Sequence, residues 1–370
     1  MNIKRNIEST IRNINNNYSV LMLTGAKGTG RRTLLKMLED DGRKYFSFDD
    51  KELRNIVIEN PDVFFECIKP PVAIIGIQYA LNLMPYINQY CAKNNNNGDF
   101  WLVATHMCDL FDNVGRTMGD NVGIAHMMGL TYEEITGETL DLFNIDIVEE
   151  NEINVQILRG SMPALYGEGI DNSRDKYFDE YMQEFLREEI RGMTTVTDII
   201  LFRKFMISAA KRSGELVNYA VLAKDVGISQ PTAKKWLSLL VSAGIIGLIQ
   251  PFSHPKLTRI IDVPRMYFMD TGLCSYLAEI KKPEKLFKTW VVAEMIKRYY
   301  NKGIKPPFYH YRDKDGKEVD LIIEEDSQLQ PIEIIDLGKK VKDRAKKFNG
   351  FARKNIAVND WKIITVNEIL

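Results

Sequence analysis

The stretch 19-SVLMLTGAKGTGRRTLLKML-38 limits the fold more than any other part of the chain. Ser19 to Thr24 is an apolar run bounded by two hydroxyl residues, which predicts a strand buried on both faces. Three glycines follow within six residues, Gly25, Gly28 and Gly30, and Arg31 to Asp40 then has the spacing of a helix. A buried strand that turns directly into a helix belongs to a parallel sheet with crossover helices. The alternation continues, with strands expected at Tyr45 to Phe48, Val72 to Ile77 and Phe100 to Thr105, and a helix over Leu83 to Lys93. The run 94-NNNNG-98 reads as a solvated loop.

The glycine spacing matches GxxxxGK[ST], in which backbone N–H groups converge on phosphate oxygens at a helix N-terminus. Gly25 and Gly30 hold the two required positions. Arg31 stands at the Lys position, and its planar fork is bulkier than an ammonium. Arg32 stands at the Ser/Thr position and cannot ligate Mg²⁺. Thr33 has a hydroxyl, but one residue along a helix turns it about 100° away. The candidate phosphate-binding set is Gly25, Gly28, Thr29, Gly30, Arg31, Arg32 and Thr33. Glycine-rich strand-to-helix turns also occur in α/β proteins that bind no nucleotide.

A chain of 370 residues is expected to form two or three domains. Its 49 basic and 50 acidic residues give no global pull toward nucleic acid, so any basic surface must be local. Cys67, Cys91, Cys108 and Cys274 form no CxxC pair and only four histidines accompany them, which argues against a zinc site or a disulfide framework and fits a reducing cytosol. The polar N-terminus has no signal-peptide core, and no apolar run approaches the roughly 20 residues of a membrane helix. A cytoplasmic protein with no metal site and no membrane partner is expected.

Four units are expected: a P-loop domain over 1–130, a helical extension over 131–194, a winged helix over 195–275, and an α/β domain over 276–370. In the third, helices at Leu201 to Ala210 and Tyr219 to Asp225 precede 230-QPTAKKWLSLLVSAG-244, with Ser229 as N-cap and Pro231 in the first turn. Ala233, Leu237, Leu240, Val241 and Gly244 make one apolar or small stripe. Strands are expected at Ile245 to Phe252 and Arg259 to Phe268. Gln230, Thr232, Lys234, Lys235 and Ser238 would face a DNA groove, with Lys256 and Arg259 on the wing. Two adjacent lysines are few for a DNA reader, and a winged helix used for protein contacts is the equal alternative. In the last unit a helix from Leu286 to Tyr300 leads to strands at Phe308–Arg312, Val319–Ile323 and Pro331–Ile335, with Asp315-Gly316 as the tight turn.

Together with 71-PVAIIGIQYALNLMPY-86, 160-GSMPALY-166, 267-YFMDTGLCSYL-277 and 318-EVDLIIE-324, these segments resemble a prokaryotic family of AAA-type ATPases. Its members carry a helix-turn-helix segment and a C-terminal domain that is distantly nuclease-like. The resemblance covers nearly the whole chain and implies a RecA-like parallel sheet, a winged helix-turn-helix and a C-terminal PD-(D/E)xK-like α/β domain. It also implies two acids at the end of the third strand, where this chain has Ile75 and Gly76 before Ile77 and Gln78. A polar sensor is implied near His106, and an arginine reaching a neighbouring subunit where Asn121 stands, with Arg116 close by. Asp49 and Asp50 are the only acids placed to rescue the metal, against a plainer role as a loop start and helix cap. The nuclease pattern would use Glu294, Asp320 and Glu333, but its lysine position is Ile335, with Lys317 or Lys339 only elsewhere.

The resulting expectation is an AAA-type protein with a degenerate nucleotide site, regulatory or scaffolding, without catalytic residues, that binds ATP weakly and without Mg²⁺ or not at all. Arg31 and Arg32 act there as phosphate clamps or as structural salt-bridge partners. Two alternatives stay open. One is an active ATPase whose metal site is rebuilt from Thr33 and Asp49 or Asp50. The other is a DNA- or protein-binding module on a P-loop scaffold.

Overall fold

Val20–Thr24 (β1) is buried along its whole length because it lies inside a sheet, with a parallel neighbour on each side. One is β4 (Phe100–Ala104) and the other is β5 (Val122–His126). Beyond β4 lie β3 (Val72–Ile75) and the edge strand β2 (Lys44–Ser47), giving a five-stranded parallel sheet of order β2-β3-β4-β1-β5. This is a computed structural model, and it describes residues 3–38, 42–94, 96–105, 118–167, 173–190, 198–254, 260–335 and 362–364. The sheet, flanked by helices on both faces, has the architecture of a P-loop ATPase fold.

Alternation along β1 divides the core. Leu21 and Leu23 pack with Ile7, Ile11, Leu34 and Leu35, from α1 (Glu8–Asn17) with its preceding turn and from α2 (Arg31–Leu38). Val20 and Met22 face the side of α3 (Lys51–Glu59), α4 (Pro61–Cys67) and α5 (Met84–Asn94). Two elements lie outside the expected pattern. The Asn-rich polar face of α1 obscures its apolar stripe, and β5 alternates half-buried and buried residues in place of an apolar run.

The extension contains α6 (Tyr132–Thr136), α7 (Ile147–Arg159) and α8 (Arg174–Glu184), which continues as a π-helical stretch, Phe185–Ile190. Next come α9 (Ile199–Ala210), α10 (Tyr219–Val226) and α11 (Gln230–Ser242), then the antiparallel pair β6 (Ile246–Pro251) and β7 (Arg265–Phe268). Ser229 caps α11 by accepting from the Thr232 N–H. Ala233, Leu237 and Leu240 are buried as the stripe predicts, joined by Trp236, whose ring meets Phe202 and Phe205 edge-on. The second strand starts six residues later than expected. Pro264, just before it, has no N–H for a ladder.

After α12 (Thr271–Ala278) and α13 (Phe287–Asn301) come β8 (Phe308–Arg312), β9 (Glu318–Glu325), β10 (Gln328–Ile334) and β11 (Lys362–Ile364). These do not form a separate sheet. β6 pairs in parallel with β8 through Gln250 and Pro251, so one six-stranded sheet of order β11-β10-β9-β8-β6-β7 crosses the expected border at 275/276. The β6–β7 pair is therefore anchored in a sheet and is not a free wing. One large apolar core draws on residues from Met128 to Ile364 and joins the extension to the helices and sheet after it, while Phe252, Tyr311, Val319, Ile322 and Leu329 form a smaller second cluster. No described helix is long and apolar enough to cross a membrane.

Candidate functional site

The loop Gly25–Gly30 leaves β1 at the carboxyl edge of the parallel sheet, where α/β folds place their ligands. Gly25 has φ 151°, and a Cβ there would stand 2.0 Å from the Met127 carbonyl oxygen, so no side chain fits. Thr29 is buried and its hydroxyl donates to the Ala26 carbonyl, closing the loop on itself at 2.9 Å. A residue outside the motif holds the loop. Arg5 donates from Nη1 to the Thr29 carbonyl (2.8 Å), from Nη2 to the Met128 carbonyl (2.8 Å), and from Nε to Glu134 Oε1 (3.1 Å). Nothing local in the sequence marks Arg5 for this task.

The two arginines after the loop do different things. Arg31 is buried and donates from Nη1 to the Ala104 carbonyl at the end of β4. Burial pushes its guanidinium down to about 10, with Glu189 pulling the other way. Arg32 is exposed and forms an ion pair with Asp49. Asp49 also accepts from the Ser47 hydroxyl at 3.3 Å, and Asp50 caps α3 by accepting from the Glu52 and Leu53 N–H groups. Gly76 is left-handed, and a Cβ there would lie 3.4 Å from Asp49 Oδ1. Asp49, the carboxylate beside the end of β3 among the described residues, is thus engaged by a guanidinium. Thr33 is exposed. These residues do not fit a hexacoordinate Mg²⁺: the hydroxyl position is cationic, and the strand end offers Ile75 and Gly76.

The extension covers the cradle. Lys27 pairs with Glu184 (2.9 Å) and Glu188 (2.8 Å). Burial pulls its ammonium down, but the two carboxylates outweigh it and hold the group above its ordinary value. Glu189 is buried and accepts from the Thr105 hydroxyl (3.1 Å), which in turn accepts from Gln78 Nε2 (3.0 Å). Burial raises the Glu189 carboxyl despite the nearby cations Lys27 and Arg31. Around Gly28 an added Cβ would meet Tyr177 Oη at 3.1 Å, Met162 Sδ at 3.3 Å and the Tyr181 ring at 3.5 Å. The cavity between the loop and Asp270, lined also by Ser161 and Met162, measures about 20 Å³. That is space for a single water, against the roughly 300 Å³ or more of a small-molecule pocket.

The other expected residues are separated. On α11, Gln230, Lys234, Lys235 and Ser238 are exposed and Thr232 is half-buried, its hydroxyl hydrogen-bonded to Ser229 at 2.8 Å. Glu294, fully buried on α13, accepts from the Tyr132 N–H and from Arg298 Nε (3.0 Å). Asp320 is buried on β9 and accepts from Lys288 Nζ (2.8 and 2.9 Å) and the Ile334 N–H (3.0 Å), with Glu333 buried on β10. Among the described residues no group of three His, Cys, Asp or Glu is arranged to hold a metal. Asn121 donates to Asn88 Oδ1 at 3.2 Å. His106, Arg116, Lys256, Arg259 and Lys339 lie outside the described residues.

The sequence of this chain matches the family models of an AAA domain over residues 17–136, of domain of unknown function DUF8612 over 150–284, and of domain of unknown function DUF4143 over 284–367. Uncharacterized proteins from Mycobacterium bovis and Mycobacterium tuberculosis are each 20% identical to it over 329 residues, covering 87% of this chain and 71% of theirs. A Walker-type ATPase of Pyrococcus abyssi superposes with a TM-score of 0.46 at 9% identity, covering 73% of this chain and 94% of that one. A signal-transduction ATPase with numerous domains from Pyrococcus horikoshii gives 0.29 at 12%, covering 78% and 44%. The AAA-domain and DUF4143 matches support an AAA-type P-loop ATPase family.

Proposed function

We propose that this chain is an AAA-type protein that has kept the phosphate-loop fold and given up Mg²⁺-dependent hydrolysis, so that it works as a regulatory or scaffolding component. The observation that carries this reading is the Arg32–Asp49 ion pair beside Gly76. Hydrolysis needs a metal bridging phosphate oxygens and a group that orients the attacking water. Here Arg32 stands at the position of the metal ligand, and its counter-carboxylate, Asp49, lies just past the end of β2. An active site rebuilt from Thr33 and Asp49 is disfavoured, because Asp49 is engaged by Arg32 and Thr33 is exposed. The test is phosphate release from ATP by the full chain with Mg²⁺. No turnover above a buffer control is expected; release abolished by Thr33→Ala would overturn the reading.

A second role, contact with DNA, is favoured by one observation. Gln230, Lys234, Lys235 and Ser238 are exposed on α11, opposite the face buried by Trp236 and Leu237. The order of α9, α10, α11, β6 and β7 supports a winged-helix reading, and α13 with β8–β10 supports a nuclease-like ancestry, with no three-residue metal cluster among the described residues. Salt-sensitive binding of duplex DNA, lost in Lys234→Ala/Lys235→Ala, is the expected result. Equal binding by parent and variant would leave protein contact as the role of this surface.

A further inference from the structure

The loop is covered by acids of its own chain. Glu184 and Glu188, one helical turn apart, both reach Lys27, while Glu189 turns inward to Thr105. The helix widens into its π-helical stretch over Phe185–Ile190, the segment that carries Glu188 and Glu189; such π-turns are frequent at functional sites. Tyr181, 5% exposed, lies over Gly28, and its hydroxyl finds no hydrogen-bond partner among the described residues. Gln78 Oε1, beside Thr105, is likewise buried and unpartnered among them. The Tyr181 hydroxyl is thus a buried donor left open against the loop.

We infer that the segment Arg174–Ile190 is a tethered stopper, its carboxylates holding Lys27 and the space before Arg31, and that the ligand exchanging with it is a metal-free polyphosphate anion. This rests on the reading of the loop as a cradle without Mg²⁺ chemistry, and it adds how that cradle is regulated. Stopper and anion would compete for one group, the Lys27 ammonium, which Glu184 and Glu188 hold in the closed arrangement; the N–H groups at the start of α2 would then serve the anion. Exchange need not add net charge to the site, because anionic oxygens replace carboxylates. Departure of the stopper would move α8, which packs against α12, so occupancy of the loop would be felt in the large C-terminal core.

The experiment is calorimetric titration with pyrophosphate in EDTA. Glu184 and Glu188 are 50% and 44% exposed, so Glu184→Gln/Glu188→Gln leaves the buried core untouched. The double variant is expected to bind pyrophosphate at least fivefold more tightly than the parent, and adding Lys27→Ala is expected to remove that gain. Equal affinity of parent and double variant, or a gain that survives Lys27→Ala, would overturn the inference. Turnover of MgATP by the parent would instead sink the metal-free reading, so the two failures are distinguishable.

Discussion

Replacing Arg5 by alanine tests how the loop is held. The side chain is 5% exposed and makes three strong contacts, to the Thr29 carbonyl, the Met128 carbonyl and the Glu134 carboxylate, whose own side chain is fully buried. Breaking a buried ion pair from one side costs about 3–5 kcal/mol, because the remaining charge stays desolvated. Glu134 keeps the N–H groups of Asn6 (2.7 Å) and Thr131 (2.9 Å), which offsets part of that. The two orphaned carbonyls add back about 1–3 kcal/mol between them. A net loss of about 3–4 kcal/mol is expected. Native-state hydrogen exchange on the amides of β1 and β5 reads it locally, without assuming that the whole chain unfolds in one step. Arg5→Lys should recover less than half, since an ammonium cannot span a carboxylate and two divergent carbonyls at once. A loss below about 1 kcal/mol for Arg5→Ala would refute the latch.

Other perturbations should behave differently. Arg32→Ala removes an ion pair whose partners are 55% and 49% exposed, so stability should change by less than about 1 kcal/mol by urea midpoint. A larger loss would mean that the pair is more than a surface contact. Acid should weaken the fold through two histidines. Burial pushes His126 and His310 each down to about 4, with the nearby cations Lys305 and Arg265 adding to it. The unfolded chain therefore takes up these protons first. Their stabilisation is in place above about pH 6.5 and is lost as pH falls to about 4, up to about 3 kcal/mol each. A stability profile flat across that window would contradict it, as would His310→Gln leaving the profile unaltered. The Glu189 carboxyl runs the other way. Burial raises it, so its charge opposes folding as pH rises, and Glu189→Gln should leave the melting temperature at pH 7 unchanged or higher.

The parts readable from sequence are those whose cause is local. The strand, loop and helix of residues 19–38 are encoded by adjacent residues, and the strand, cap and stripe patterns of β8–β10 and α11 work the same way. β5 was not readable, because one of its buried positions is Gly123, where no side chain fits beside Ile14 of α1 and Tyr18 just after it. The pairing of β6 with β8 joins residues some sixty positions apart, and no local signal specifies it. At the site, the sequence shows which catalytic groups are absent. It cannot show what fills their space, since Glu189 reaches Thr105 from 84 residues away and Arg5 reaches Glu134 across 129. Charge at Arg31 was legible; its direction toward Ala104 depends on where β4 ends.

The central claim is that this phosphate loop works without metal. Titration of the purified full chain with ATP, once in Mg²⁺ and once in EDTA, tests it most directly. The same weak affinity in both, with no phosphate released, is the expected result. Tight binding that appears only with Mg²⁺ would mean that the Arg32–Asp49 pair yields to a metal, and would contradict the account.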